Sequence, residues 1–270
     1  MKNLFQNKTV LITGGASGIG KIMGRKVLER ECSHLIIWDI NEMGMLQVKS
    51  EFEKFRKKIS TYKVDLSVTE EILQTASKTL SDSGTVDVLI NNAGIIVGKY
   101  FHEHSHEEIA KSMSINSTAV MQTTLAFLPA MMNKNFGAIC NIASSAGLIS
   151  NPKMSVYAAS KWAVTGWSDS LRLEMEQLKH NISVTTIMPF YINTGMFDGV
   201  KSKLLPILDP ENASEKIIRA IENKRKMLAM PLPYWFIRLS QGILPLPAFD
   251  WVMKNVFGIY DTMKDFRGRR

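Results

Sequence analysis

The stretch SVYAASKWAV, residues 155–164, sets a phenol at Tyr157 four positions ahead of an ammonium at Lys161. On an α-helix four residues make about one turn, so both side chains share a face and reach one site. A free tyrosine has a pKa of about 10, too high for an efficient base at neutral pH, and an adjacent cation stabilises its phenolate and lowers that value. The pair therefore suits the transfer of a proton to and from an oxygen of a bound molecule. The same spacing also occurs on ordinary solvated helices, so other residues must converge on the same place before the pair acquires meaning.

The elements that would position it are legible as alternating patterns. Apolar runs at KTVLIT (8–13), HLIIWD (34–39), STYKVD (60–65), VDVLIN (86–91), GAICNIAS (137–144) and ISVTTIMP (182–189) predict strands, with longer segments of helical periodicity between them. This alternation implies βαβ units and an α/β fold, a parallel sheet covered by helices on both faces. No linker or repeat divides the chain before residue 190. Beyond it Pro206, Pro210, Pro231, Pro233, Pro245 and Pro247 punctuate short helices. The expectation is a single domain over 1–270, with 195–270 as a substrate lid and C-terminal appendage.

TGGASGIG (13–20) follows the first strand and opens the first helix, the setting of a dinucleotide-binding turn. Gly14 permits the tight turn. Gly18 and Gly20 remove side chains where the backbone must approach a pyrophosphate or the helix must pack on the sheet, and the N–H groups at the helix start face the anion. Asp39 ends the second strand, where a carboxylate accepts both ribose hydroxyls of an adenosine and repels a 2′-phosphate. Lys21 and Arg25 bring positive charge nearby, but Ile40 rather than arginine follows Asp39, so NAD(H) is favoured over NADP(H). Asp65 is expected to end the third strand and NNAG (91–94) the fourth, both at carboxyl ends where open α/β sheets bind ligands.

With 33 Lys and Arg against 25 Asp and Glu the net charge is +8, and residues 201–270 alone, with 13 basic and 7 acidic residues, carry six of those charges. The basicity belongs to the tail rather than to a continuous face, and no nucleic-acid partner is expected. Cys32 and Cys140 form neither a metal knuckle nor a disulfide framework, which suits a reducing compartment. The amino terminus enters the first strand without an apolar leader, so a cytoplasmic location is expected. HEHSHEE (102–108) offers three imidazoles, but a helix starting near Ser105 would separate them and explain Glu107 and Glu108 in its first turn; no metal is expected.

In order, TGGASGIG, Asp65, NNAG, Asn116, IASSAG (142–147), YAASK (157–161) and Pro189 with Thr194 make residues 8 to about 195 resemble a short-chain dehydrogenase/reductase. The resemblance implies a Rossmann-type, doubly wound parallel sheet and a catalytic tetrad of Asn116, Ser144, Tyr157 and Lys161. Ser144 is chosen over Ser145 because the family places its serine 13 positions before the tyrosine. In this picture Ser144 holds the substrate oxygen, Tyr157 exchanges a proton with it, Lys161 supports the phenolate and Asn116, in the helix after the fourth strand, positions a water linked to Lys161. The implied cofactor contacts are Gly14, Ser17, Gly18, Ile19, Gly20, Asp39, Ile40, Asp65, Leu66, Asn92, Ala93, Gly94, Tyr157, Lys161, Pro189, Ile192 and Thr194. Phe190 stands where the family carries glycine, and its ring should make the pocket more apolar.

Substrate contacts are expected from Ser144, Tyr157, Met196 and Phe197. The apolar tail at 230–260 and the FRGRR ending resemble the branch containing 17β-hydroxysteroid and epidermal retinal dehydrogenases. The substrate is then a lipophilic alcohol, ketone or aldehyde of steroid, retinoid or fatty type. The alternatives are a 3-oxoacyl or small-alcohol reductase and a dinucleotide-binding sensor that does not turn over. The family implies a homodimer or homotetramer, and the tail has three readings: pocket cover, subunit interface or peripheral membrane contact.

Overall fold

The apolar runs become strands because the chain buries them from both sides. In a computed structural model that describes residues 3–231 and 234–268, a seven-stranded parallel sheet runs in the order β3-β2-β1-β4-β5-β6-β7. Its strands are β1 (Thr9–Thr13), β2 (His34–Asp39), β3 (Lys58–Lys63), β4 (Val88–Asn91), β5 (Gly137–Ile142), β6 (Ile182–Pro189) and β7 (Met227–Met230). Pro233, Arg269 and Arg270, all singled out in the sequence, lie outside the described residues.

Successive strand residues point to opposite faces, and each face has its own helices. Val10, Ile12, Leu35, Ile37, Val88 and Ile90 pack with Met23 and Val27 of α1 (Gly18–Glu29), Met45 and Val48 of α2 (Glu42–Phe52) and Ile217 and Ile221 of α7 (Pro210–Glu222). Leu11, Ile36, Trp38 and Leu89 pack on the other side with Ile72 of α3 (Thr69–Ser83), Phe127 and Met131 of α5 (Ala119–Lys134) and Leu171 and Met175 of α6 (Ser155–Gln177). Fully burying one such side chain contributes about 1.5–3 kcal/mol. A one-residue slip would exchange the two faces, so the register, Val10 with Leu35 and with Val88, is strongly specified. The doubly wound expectation holds. β1 sits between β2 and β4, and at this reversal of strand order the carboxyl ends open a crevice.

Two strands depart most from the sequence reading. β3 runs over 58–63, two residues earlier than expected, so Asp65 lies in the loop beyond it; pairing with all of β2, His34↔Lys58 to Asp39↔Lys63, sets its limits. β7 was not expected, because Met-Leu-Ala-Met is short and lacks β-branched residues. Only its pairing with β6, Thr186↔Met227 to Pro189↔Met230, makes it a strand. Within 195–270, α7 and β7 therefore complete the sheet layers. The rest, including α8 (Tyr234–Ile243) and α9 (Leu246–Trp251), gathers in a third apolar cluster that joins Ile237, Phe249, Met253 and Ile259 to Tyr157, Phe190 and Tyr191. Among the described residues no helix is long and apolar enough to cross a membrane.

Candidate active site

At the carboxyl ends of β1, β2, β4, β5 and β6 lies a cavity of about 370 Å3. Its walls bring together Gly14, Ser17, Gly18, Ile19, Asp39, Ile40, Asp65, Leu66, Asn92, Ala93, Gly94, Ser144, Tyr157, Lys161, Pro189, Ile192, Thr194, Met196 and Phe197. Of the residues singled out in the sequence, Gly20 and Asn116 stand behind this wall rather than on it.

The glycine turn fits a dinucleotide on steric grounds. Gly14 has φ +66°, a left-handed conformation that side chains rarely adopt, and a Cβ there would come 2.9 Å from Ala93 Cα. At Gly20 a Cβ would meet Gly14 O at 2.1 Å, so this glycine serves the close packing of α1 on the turn. Asn92 locks the turn from across the crevice: its Nδ2 donates to Thr13 O at 3.0 Å and Gly14 O at 3.1 Å. The first N–H groups of α1, which have no partner within the helix, open beside the cavity and suit an anion.

Asp39 accepts from Ala16 N and from Asn41 N, both at 2.9 Å, which holds its carboxylate at the end of β2 between the glycine turn and α2. The neighbouring cations are engaged elsewhere, Lys21 with Glu51 at 2.6 Å and Arg25 with Glu29 and Glu211 at 2.6 Å. Asp65 accepts from Ser67 Oγ at 2.6 Å and Ser67 N at 2.8 Å, and these bonds hold its carboxyl below the ordinary range.

Tyr157 and Lys161 leave the first turns of α6 on one face, as their spacing predicts, with Lys161 Nζ 5.7 Å from the Tyr157 ring centre. Lys161 Nζ donates to Ile142 O at 2.8 Å. Ser144 lies just past β5, where its Oγ accepts from Ala146 N at 3.1 Å. The expected depression of the tyrosine pKa is not found. Burial disfavours the phenolate and pushes Tyr157 up to about 12, against an opposing hydrogen bond from Ser144. Burial likewise disfavours the ammonium and lowers Lys161 to about 8.

Asn116 was expected in the helix after the fourth strand, and it lies there in a π-helical turn, Ser114–Thr118, which joins α4 (His106–Met113) to α5. Its Oδ1 accepts from Ile95 N at 2.8 Å, and its Nδ2 donates to Ile95 O at 2.9 Å and Ser160 Oγ at 3.2 Å. A Cβ on Gly94 would lie 3.2 Å from Asn116 Oδ1 and 3.6 Å from Lys161 Nζ, so this glycine keeps a methyl-sized space between them.

Lys111 and Ile115 line the cavity and escaped sequence reading, because a lysine on a short polar helix and an isoleucine beyond it carry no local signal. Ser105 caps α4 with Glu108 in a reciprocal pair, so the helix starts near Ser105 as expected. The three imidazoles are distributed differently: His102 stacks on Tyr100, His104 tilts against Phe101, and His106 opens α4.

The family model described as short chain dehydrogenase matches residues 8–204. Epidermal retinol dehydrogenase 2 of Mus musculus is 36% identical over 266 residues, covering 97% of this chain and 85% of that protein. Estradiol 17-beta-dehydrogenase 11 of Pongo abelii is 33% identical over 260 residues, covering 96% and 86%. Among solved structures, a short chain dehydrogenase/reductase from Burkholderia phymatum in complex with NAD superposes with a TM-score of 0.80 at 23% identity, covering 88% of this chain and 94% of that one. With its parallel sheet, glycine turn and matching sequence, the chain belongs to the short-chain dehydrogenase family of oxidoreductases, which bind a nicotinamide dinucleotide.

Proposed function

We propose that this protein interconverts a lipophilic primary or secondary alcohol and its carbonyl with NAD(H), using Ser144, Tyr157, Lys161 and Asn116. The observation that carries the proposal is the shared cavity: Tyr157 and Ser144 meet the glycine turn and Asp39 on one side and Phe190, Met196 and Phe197 on the other. When bound, the nicotinamide ring supplies or receives the hydride. Ser144 holds the substrate oxygen by a hydrogen bond, and Tyr157 Oη exchanges the proton with it. Burial keeps the phenol protonated, which suits proton donation to a carbonyl, and Lys161 Nζ, 5.7 Å from the ring centre, stands as the counter-charge for the phenolate that oxidation requires. The space left by Gly94 between Asn116 and Lys161 supports a water-linked path for the proton.

Preference for NAD(H) is supported by the Asp39 carboxylate on the cavity wall, with Lys21 and Arg25 committed to other acids, leaving neither to receive a 2′-phosphate. The lipophilic class is supported by the apolar cover and by the retinol and estradiol named in the relatives. We read the chain as one domain whose segments after Thr194, apart from α7 and β7, cover the substrate. The outer face of that cover exposes Trp235, Phe236, Leu239, Ile243 and Trp251 beside Arg238 and Lys254, which supports peripheral contact with an anionic lipid surface. Exposed Leu125 on α5 and Trp162 and Leu173 on α6 offer apolar surface for a homodimer or homotetramer. The test is a panel of steroid, retinoid, fatty and short polar alcohols, with kcat/KM measured side by side for NAD and NADP. Rising efficiency with apolar size and with NAD is expected. Preference for NADP overturns the cofactor assignment, and efficient oxidation of short polar alcohols with no gain from apolar size defeats the lipophilic one.

A further inference from the structure

The carboxyl-terminal segment 262–267 ties together two loops that frame the cavity. The first follows β4: the Phe266 ring lies over Gly98, where a Cβ would overlap ring carbons Cδ1 and Cε1 and come 3.1 Å from Met263 Cε. Three residues before Gly98 stands Ile95, on the cavity wall and bonded to Asn116 through both its N–H and its carbonyl. The second loop follows β6. Arg267 N donates to Asp198 O at 2.9 Å, Lys201 N donates to Thr262 O at 3.3 Å, and Lys201 Nζ pairs with Asp265 at 2.7 Å. Gly199, at φ +85°, permits this crossing, because a Cβ there would overlap Asp265 O.

What the segment grips is the residue just before Asp198. Phe197 lies on the cavity wall and meets Tyr157 edge to face with ring centres 6.1 Å apart, and Tyr191 likewise at 5.0 Å. Tyr191 Oη is in turn 2.9 Å from Thr262 Oγ1, and Asn151 Nδ2 lies 3.1 Å from the one and 2.8 Å from the other. Phe197 is thus held from two directions, by backbone bonds to the residues that follow it and through Tyr191. Its own loop supplies little support, since residues 195–207 form no helix or strand. The segment itself needs an anchor. The Lys201–Asp265 pair is exposed and contributes little, and Phe266 is the one apolar side chain of any size in 264–268. Its half-buried ring joins the cluster that contains Tyr157 and Tyr191.

We propose that Phe266 is a positioning residue: seated over Gly98, its ring locks segment 262–267 across both loops and so holds Phe197 against Tyr157, fixing the apolar wall beside the reacting oxygen. The lock is a property of the fold, and the inference rests on the dehydrogenase reading only for the ligand that uses this wall. Loosening it removes apolar contact with that ligand while the dinucleotide wall, held by Asn92 and Asp39, keeps its own bonds.

The experiment is a double-mutant cycle of Phe266→Ala and Gly98→Ala, whose added methyl displaces the ring from the other side. Four quantities are measured: KM and kcat for 1-decanol with NAD, NAD affinity by fluorescence titration, and the rate of tryptic cleavage after Lys201 and Lys203, both exposed on the gripped loop. Each single variant should raise KM and cleavage rate by about tenfold, with kcat and NAD affinity changed by less than about threefold. The double variant should be no worse than either single one, because each removes the same contact. Phe266→Leu, which restores an apolar seat, should recover most of both effects. Additive effects in the double variant overturn the lock, as does unchanged cleavage in both single variants. Faster cleavage with KM unchanged overturns the positioning role. Faster, non-additive cleavage in a chain that oxidises no alcohol retains the lock and rejects the dehydrogenase reading.

Discussion

On the amino-terminal wall of the cavity, short polar bonds fix the backbone: Asn92 spans to Thr13 O and Gly14 O, and Asp39 holds Ala16 N. On the opposite side, α8 and α9 pack in the apolar cluster that includes Phe190 and Phe197 of the cavity wall, with Ile237 1% exposed inward and Trp251 62% exposed outward. The first wall leaves little freedom of shape, because adding a single Cβ at Gly20 would drive it into Gly14 O. The second is held largely by non-directional burial, at about 25 cal/mol per Å2, which tolerates change in shape and favours any apolar ligand. Directional bonds hold the wall proposed to take the cofactor, whereas mostly packing shapes the wall proposed to take the substrate.

The largest expected effect lies where the walls meet. Tyr157→Phe removes the oxygen proposed to exchange the proton but keeps the ring, so kcat should fall by about 10^3-fold or more while dinucleotide affinity, measured by fluorescence titration, changes by less than about threefold. Near-normal turnover would remove the junction between the two walls. Next, Asp39→Ala should lower the NAD:NADP ratio of kcat/KM by about tenfold or more, since it removes both hydrogen-bond acceptors and the repulsion of a phosphate. An unchanged ratio would mean that the rigid wall does not choose the cofactor.

A smaller effect concerns stability. Burial lowers Lys161 to about 8 in the folded state, from its ordinary 10.5, so the charged form destabilises the fold at every pH below about 8. Between about 8 and 10.5 the unfolded chain binds more protons than the folded one, and wild-type stability should rise with pH from this group. Lys161→Met should therefore gain about 1–3 kcal/mol at pH 7, with the gain fading across that window, measured by denaturant unfolding at stepped pH. A variant less stable at pH 7 would show that the bond to Ile142 O outweighs the burial cost. The smallest effect belongs to the outer wall: Trp251→Ser should alter stability by no more than about 0.5 kcal/mol, yet reduce flotation with anionic vesicles. A marked loss of stability with unchanged flotation would place that ring in the fold rather than on a lipid surface.

Much of the rigid wall was legible because its signals are local. A glycine turn between a strand and a helix, an acid at the end of the next strand and the Tyr157–Lys161 spacing each belong to a few consecutive residues, and the structure brings them to one cavity. What escaped depends on distant partners. Asn116 was named, but the π-turn that seats it against Ile95 and Ser160 was not. Lys111 reaches the cavity because α4 happens to lie over it, and β7 is a strand only because β6 offers it an edge.

The sequence by itself determined the alternation of strand and helix, the residues of each sheet face and the chemical types gathered at the carboxyl ends, because period, glycine placement and i,i+4 spacing are properties of the local chain. Tertiary structure alone decided the electrostatic and polar state of the site. Tyr157 is driven up rather than down because enclosure removes it from water. Asn151 meets Tyr191 and Thr262, 40 and 111 positions away, only because the fold brings three segments together. Solvation and hydrogen-bond balance are sums over everything that packs around a group, and those neighbours come from segments far apart in the chain.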